Sequence, residues 1–354
     1  MKLAVFGAGA IGCWVGGRLA AGGADVTLIG RPRVLDELRD GLKHSDLDGT
    51  VWTVHPKLAT DVAAAREADI VLVTVKSAAT ANAARDLAGQ GSAVIVSLQN
   101  GIANAEALRA ALPGRVVLAG MVPFNIARTE PGHYHRGTSG SLTVEAHPTV
   151  EPFVIACRNA ALPLETRADM PAVLWGKLVM NLNNAINALS GKSLLDELAD
   201  RDFRRCLAAA QTEALDLLEA AQQPVAKLLA LPPRWVARVL PMPDWAFRRI
   251  AQRVAAVDPQ ARSSMQDDLT AGRPTEIEFL QGELVRLAKQ LGRRAPINAK
   301  LVALVRAAET GGKRDFTGRE LWTALRRPKR HAAHSITPSE ATIDPTSMPS
   351  RNLP

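Results

Sequence analysis

Lys177, Asn181 and Asn184 recur at i, i+4 and i+7 within LWGKLVMNLNNAINALSG, residues 174–191. A helix through this stretch carries all three on one face, beside an apolar stripe of Leu178, Leu182, Ala185 and Leu189. A lysine ammonium among amides can give a proton, or a fixed positive charge, to a carbonyl oxygen that is gaining negative charge. Asparagine is a mediocre helix former, yet Asn181, Asn183, Asn184 and Asn187 fall within seven residues. The plain alternative is a half-solvated helix whose amides reach water or neighbouring loops. A carboxylate that could keep such an ammonium charged occurs downstream in SSMQDDLTAGRPTEIEF, where Glu276 stands beside Thr275 at an expected helix start. Glu at a helix start is itself a sufficient structural account of Glu276. Ser263–Ser264, with Asp267 at N3 of a Ser264 cap, likewise reads as a helix cap.

A second group of residues points to a phosphate-bearing ligand. KLAVF, residues 2–6, runs into GAGAIG, residues 7–12, and then into a helix-like stretch. In G-x-G-x-x-G placed between strand and helix, Gly7 makes the tight turn and Gly9 lets backbone approach a pyrophosphate. Gly12 lets helix and strand pack, and the free N–H groups of the helix start face the phosphates. Gly7, Ala8, Gly9, Ala10, Ile11 and Gly12 are therefore the expected dinucleotide loop. The next strand, ADVTLIG, ends in Gly30, Arg31, Pro32 and Arg33. No carboxylate stands there for a ribose 2′-hydroxyl, whereas a guanidinium suits a 2′-phosphate, so NADPH is expected over NADH. An ordinary basic surface loop is the competing reading of Arg31. Lys76 and Asn100 follow the buried-type strands DIVLVTV and AVIVSLQNG, at the strand ends where such sheets bind ligands.

The elements that must position these residues follow from the pattern. Strand and helix alternate to about residue 168, with extra strands expected at 41–56 and a hairpin at 131–146. From there the periodicity is helical, so the expected organisation is an α/β domain with a mainly parallel sheet at 1–168 and an all-α domain at 169–327. The Pro-, Ser- and Thr-rich stretch 328–354 reads as a disordered tail. Cys13, Cys157 and Cys206 are too few and scattered for a disulfide framework or zinc site, which points to a reducing cytoplasm. His133 and His135 sit at strand spacing without a further ligand, so no metal is expected and the pair reads as structural or cleft-edge. The chain opens directly on a strand-like run and has no 18-residue apolar span, so neither a signal peptide nor a membrane helix is expected. A net charge of +8 with only 4% aromatic residues fits an acidic small-molecule ligand better than nucleic acid.

With FGAGAIG, VTVKS around Lys76, LQNG around Asn100, WGKLVMN around Lys177, and SSM…D…TEI carrying Ser264, Asp268 and Glu276, residues 1 to about 310 resemble the ketopantoate reductases (2-dehydropantoate 2-reductases). The resemblance implies a Rossmann-type domain, a helical domain and a cleft between them for NADPH and a 2-oxo acid. It implies Lys177 as the catalytic lysine with Glu276 as its carboxylate partner. It also implies Asn100, Asn181 and Ser264 at the substrate, and Arg31 and Lys76 near the adenosine phosphate. Asn100 is expected at the cofactor as well. Two positions depart from the family pattern: Ala185 and Ala261 stand where members carry substrate-side asparagines, and Asn184, on the Lys177 face, is the expected substitute. The rival readings are a paralogous NADP-dependent 2-oxo acid or β-hydroxyacid dehydrogenase, and a dinucleotide-binding redox sensor without turnover. Lys177, Asn181 and Glu276 disfavour the sensor, which needs only the first domain. A monomer or homodimer is expected.

Overall fold

The computed structural model describes residues 1–251 and 261–326, and the expected tail lies outside them. Twelve strands occupy the first 167 residues: β1 Lys2–Phe6, β2 Asp25–Ile29, β3 Leu42–Ser45, β4 Val51–Val54, β5 Lys57–Ala59, β6 Ile70–Val73, β7 Val94–Ser97, β8 Val117–Met121, β9 Ile126–Glu130, β10 His133–Arg136, β11 Leu142–Glu145 and β12 Leu164–Arg167. Eight form one sheet in the order β12-β11-β8-β7-β6-β1-β2-β5. Every pairing in it is parallel except β11 against β8, which gives the mainly parallel α/β layer expected from the alternation. The central strands are apolar on both faces because helices cover both; IVLV of β6 is buried throughout.

A smaller sheet, β4-β3-β10-β9, lies over the outer side of the helix Ala10–Ala21. The strands expected at 41–56 are part of it. The hairpin expected at 131–146 is not formed. Its first strand, β10, turns back onto β9, and β11 crosses to the main sheet instead. The chain leaves the small sheet at Gly140, φ +143°, where an added Cβ would lie 2.6 Å from the Pro123 ring. The buried LTVE of β11 then finds its apolar partners beside β8. His133 and His135 remain in the small sheet, flanking the Ser45 hydroxyl at 3.0 and 2.9 Å.

Beyond residue 168 the described residues form helices and their connections, packed on one core that includes Leu178, Leu182, Phe203, Leu284 and Leu301. The single helix expected across 174–191 is two: Met170–Asn181 and Asn183–Ser190, broken at Leu182. The buried amides of Gln211 and Gln281 donate to the carbonyls of Val179 and Leu182, at 3.2 and 2.9 Å, within the helical ladder. Among the described residues, no helix is long and apolar enough to cross a membrane.

Candidate active site

The glycine loop follows β1 as expected, and its three glycines differ in what they require. Gly7 has φ +122°, and a Cβ there would sit 2.7 Å from the Val75 nitrogen. At Gly12 an added Cβ would overlap the Gly7 carbonyl oxygen and the Thr74 hydroxyl. Gly9 is different: nothing lies within 4 Å of its absent Cβ. The helix Ala10–Ala21 that starts there has no side-chain cap and no acidic residue in its first turn. Open space beside Gly9 and a helix start without a side-chain cap suit a pyrophosphate, so the residues present fit a dinucleotide. At the end of β2, Gly30 is held small by Ala8, whose Cβ would come within 2.6 Å of any Cβ at position 30. The first side chain available beyond that strand is therefore Arg31, which is exposed at the start of the short helix Pro32–Asp36.

Lys76 follows β6 by three residues, and its ammonium is paired with Asp268 of the helical region. The Asp268 side chain is only 4% exposed and also takes Arg273 Nε at 3.1 Å, so one buried carboxylate holds two cations. In this structure Lys76 is thus directed across the cleft, with about half of its side chain still open to solvent.

Asn100, at the end of β7, lies within a chain of polar contacts. Asn181 Nδ2 donates to Asn100 Oδ1 at 3.4 Å, and Asn100 Nδ2 donates to Glu276 Oε2 at 3.2 Å. The other Glu276 oxygen accepts from the Ser77 backbone N–H at 3.0 Å and lies 3.0 Å from the Ser77 hydroxyl. That hydroxyl is also 2.7 Å from the Asn100 carbonyl, and Asn104 Nδ2 reaches the same carbonyl at 2.6 Å. Gln99, Thr80 and Ser97 continue the network into the sheet. Ser77, Asn104 and Asp268 hold the site together, and sequence reasoning assigned none of them a role. For Ser77 and Asn104 the signal was polar residues clustered just after two consecutive apolar strands, and Asp268 stood within the SSM…D…TEI motif without a role.

Lys177 stands on the same helix as Asn181, one turn earlier, and is half-buried. Its ammonium donates to the Pro123 carbonyl at 3.2 Å. Burial pushes its pKa down to about 8, and no carboxylate offsets that. The expected Lys177–Glu276 pair is not made: among the described residues no hydrogen bond or ion pair joins them. Glu276 is satisfied instead by Ser77 and Asn100, so it reaches the Lys177 face only through Asn100 and Asn181. Asn184 lies on the second helix and is half-exposed, whereas Ala185 beside it is fully buried in the helical core. The expected cap is shifted by one residue. Ser263, not Ser264, accepts from the Gln266 N–H, so Ser264 becomes the exposed first residue of the helix Ser264–Thr270. The Ser263 N–H is taken by Asn187 at 2.9 Å, which draws the cap one residue upstream of the expected Ser264–Asp267 arrangement.

The chain thus carries an ammonium of lowered basicity, amides and a carboxylate together with a dinucleotide-type glycine loop. Models of known families match both halves: Ketopantoate reductase PanE/ApbA over residues 3–149 and Ketopantoate reductase PanE/ApbA C terminal over 169–309. The chain belongs to the ketopantoate reductase family. As a member it is an oxidoreductase. It is 34% identical to a 2-dehydropantoate 2-reductase of Halobacterium salinarum, across 88% of this chain and 100% of that protein. A solved PanE/ApbA family ketopantoate reductase from Ralstonia eutropha is 31% identical, with a TM-score of 0.75 over 88% of this chain and 99% of that one. A D-mandelate dehydrogenase solved with NADH and anilino(oxo)acetate shares the fold, with a TM-score of 0.71 at 18% identity over 88% of this chain and 99% of that one.

Proposed function

We propose that the protein reduces 2-dehydropantoate to pantoate, a 2-oxo acid to a 2-hydroxy acid, with NADPH as reductant, in the cytoplasm and on the route to pantothenate. The observation that carries this reading is Lys177: a half-buried lysine, its basicity lowered toward neutrality by desolvation, on the helix that also carries Asn181, in a chain 34% identical to a reductase of that name.

Residues 7–12 would hold the pyrophosphate and Arg31 the 2′-phosphate, with Asn100 at the nicotinamide end of the cleft. Lys76 would serve the adenosine phosphate only by exchanging its hold on Asp268. Bound NADPH supplies a hydride to the keto carbon. Lys177 donates its proton to the keto oxygen as that oxygen becomes an alkoxide, and then regains a proton from solvent. Its pKa near 8 suits the task, because an acid works best when its pKa lies near the operating pH. Asn181 orients the substrate beside Lys177. Glu276 acts by holding Asn100, and through it Asn181, in register. Ser264 and Asn184 receive the substrate's carboxylate and hydroxyl arms. Asn184 serves here because Ala185 is turned into the core, so the half-exposed amide is the one before it.

The test is NADPH oxidation with 2-dehydropantoate, 2-oxoisovalerate and a panel of 3-hydroxy acids run in reverse. A site built to bond the hydroxymethyl arm should favour 2-dehydropantoate over 2-oxoisovalerate by roughly tenfold or more in kcat/KM. Equal or better turnover of 2-oxoisovalerate assigns the chain to a paralogous reductase with the same chemistry.

A further inference from the structure

Pro123, Phe124 and Asn125 follow β8, and the Pro123 carbonyl accepts the hydrogen bond of the Lys177 ammonium at 3.2 Å. Lys177 belongs to the helical region, so its ammonium is held by backbone from the half of the chain that carries the glycine loop. Each residue of this segment is fixed by a different contact. The Pro123 ring fits a notch at Gly140, whose φ is +143° and where an added Cβ would lie 2.6 Å from Pro123 Cγ. The ring also sets the φ of Pro123 itself, which leaves the backbone little freedom there. Phe124 is buried and meets the Trp14 ring edge to face, with centroids 5.0 Å apart. The Arg136 guanidinium lies over both rings, 5.3 Å from the Trp14 centroid and 5.8 Å from the Phe124 centroid, and pairs with Asp46. The Asn125 N–H donates to the Thr138 hydroxyl at 2.9 Å, and the Asn125 carbonyl accepts from the Gly137 N–H at 2.9 Å.

Trp14 stands on the helix Ala10–Ala21 just past Gly12, and its indole N–H donates to the Ser45 carbonyl at 3.0 Å. Phe124 therefore joins the helix that begins at the glycine loop to the carbonyl that holds Lys177. A lysine ammonium sits on a long flexible stem, and one left unheld is spread over many rotamers. A general acid must lie within hydrogen-bond reach of the atom it protonates, and a displacement of about 1 Å can cost roughly a hundredfold in rate. A carbonyl braced on three sides is a fixed acceptor for such a group.

We propose that the segment 123–125 is a positioning strap: the Pro123 carbonyl aims the Lys177 ammonium, and Phe124 sets that carbonyl against the helix of the dinucleotide loop. The half of the molecule that holds the dinucleotide thereby also places the proton donor. This rests on the reading of Lys177 as that donor. The strap acts through Lys177 and takes no part in the chemistry itself.

The experiment uses the full chain and compares wild type with Gly140→Ala, Phe124→Leu, Thr138→Val, Thr138→Ser, Phe153→Leu and Lys177→Ala. The readouts are kcat, 2-oxo acid KM, NADPH Kd, the solvent deuterium isotope effect on kcat, and Tm. Gly140→Ala pushes on the Pro123 ring, and Phe124→Leu loosens the contact with Trp14. Thr138→Val removes the acceptor of the Asn125 N–H, whereas Thr138→Ser keeps it. Phe153 is a fully buried ring among the first 167 residues and outside the strap, so Phe153→Leu controls for lost packing. The expected result in Gly140→Ala and Phe124→Leu is a kcat lower by roughly tenfold to a hundredfold, with NADPH Kd within about twofold and KM changed less than kcat. The solvent isotope effect should rise in both, because a misaimed acid slows the proton transfer. Thr138→Val should lose about threefold or more in kcat, the size of one hydrogen bond, and Thr138→Ser should regain it. Phe153→Leu should lower Tm and leave kcat unchanged. The near-isosteric Thr138→Val, at a half-buried position, decides the matter should a larger substitution fail to fold. Unchanged kcat and isotope effect in the folded strap variants, beside a Lys177→Ala variant that has lost turnover, overturn the strap and leave the Lys177 reading standing. An equal fall in kcat in Phe153→Leu overturns the strap as well, by making the effect one of general packing. Near-normal turnover in Lys177→Ala overturns the Lys177 reading, and the strap with it.

Discussion

Lys177 has a lowered pKa from burial alone, and the sign of its effects follows from that. In the free enzyme the ammonium is present below about pH 8, so kcat/KM for reduction should hold at neutral pH and fall as pH rises through about 8. A plateau persisting to pH 10 would reassign the acid. Lys177→Ala should cut kcat by roughly 10² or more while leaving NADPH affinity nearly unchanged. Stability should move the other way. Because the folded pKa is below the ordinary value of 10.5, the cost of burying the ammonium is present in full below pH 8 and is relieved between 8 and 10.5. Lys177→Met should therefore melt no lower than wild type at pH 7, and a clear drop in Tm would mean that the Pro123 contact outweighs the burial cost. Arg31 presents a simpler case. It is exposed and is the first side chain beyond a strand end kept bare by Ala8, so a single charge-assisted contact to a 2′-phosphate is the effect expected of it. Such a contact contributes roughly 1.5–3 kcal/mol, or about 10- to 100-fold in affinity. Arg31→Ala should lose that much NADPH affinity and little NADH affinity, measured by cofactor titration; equal wild-type affinities would remove the basis for NADPH.

At the scale of elements, the pair of helices Met170–Asn181 and Asn183–Ser190 carries Lys177, Asn181 and Asn184, the residues proposed to act on the substrate. The Gln211 and Gln281 amides donate to backbone carbonyls at their junction, and in the second helix Ala185 is in the core while Asn184 is half-exposed. Beneath the second helix, the Glu197 carboxyl has a folded pKa raised to about 8 from 4.5. The unfolded chain ionises first, so this group's contribution falls as pH rises from about 4.5 and its full cost is in place above about 8. Glu197→Gln should consequently raise Tm over wild type by an amount that grows between pH 5 and pH 8. A constant difference across that range would show that the acid ionises normally in the folded state.

Across the whole molecule, the polar links that tie the sheet to the helical region include Lys76 with Asp268, and Ser77 and Asn100 with Glu276. Glu276 is therefore a tie between the two halves as well as a member of the site, which separates it from Lys177 experimentally. Removing its carboxylate strands the Ser77 N–H, and a donor left unsatisfied in a buried setting costs roughly 1–3 kcal/mol. Glu276→Ala should lose stability of that order in denaturant unfolding together with turnover, whereas Lys177→Ala should lose turnover alone. Undiminished stability in Glu276→Ala would place the carboxylate outside the tie.

Local signals in the chain were enough to determine the α/β layer, the glycine turn between strand and helix, the helical second part and the placing of Lys177 and Asn181 on one helix. Each depends on residues close in sequence: a glycine turn between strand and helix, a β-branched run, a 3.6-residue period. The tertiary structure decided what depends on partners far apart along the chain. Glu276 meets Ser77 and Asn100, 199 and 176 residues away, rather than Lys177. Lys76 meets Asp268 across 192 residues, the hairpin at 131–146 dissolves because β11 finds a better apolar place beside β8, and Asn187 moves the helix cap from Ser264 to Ser263. A buried polar group takes whichever partner the packed fold brings within about 3 Å, and no local pattern specifies which that will be.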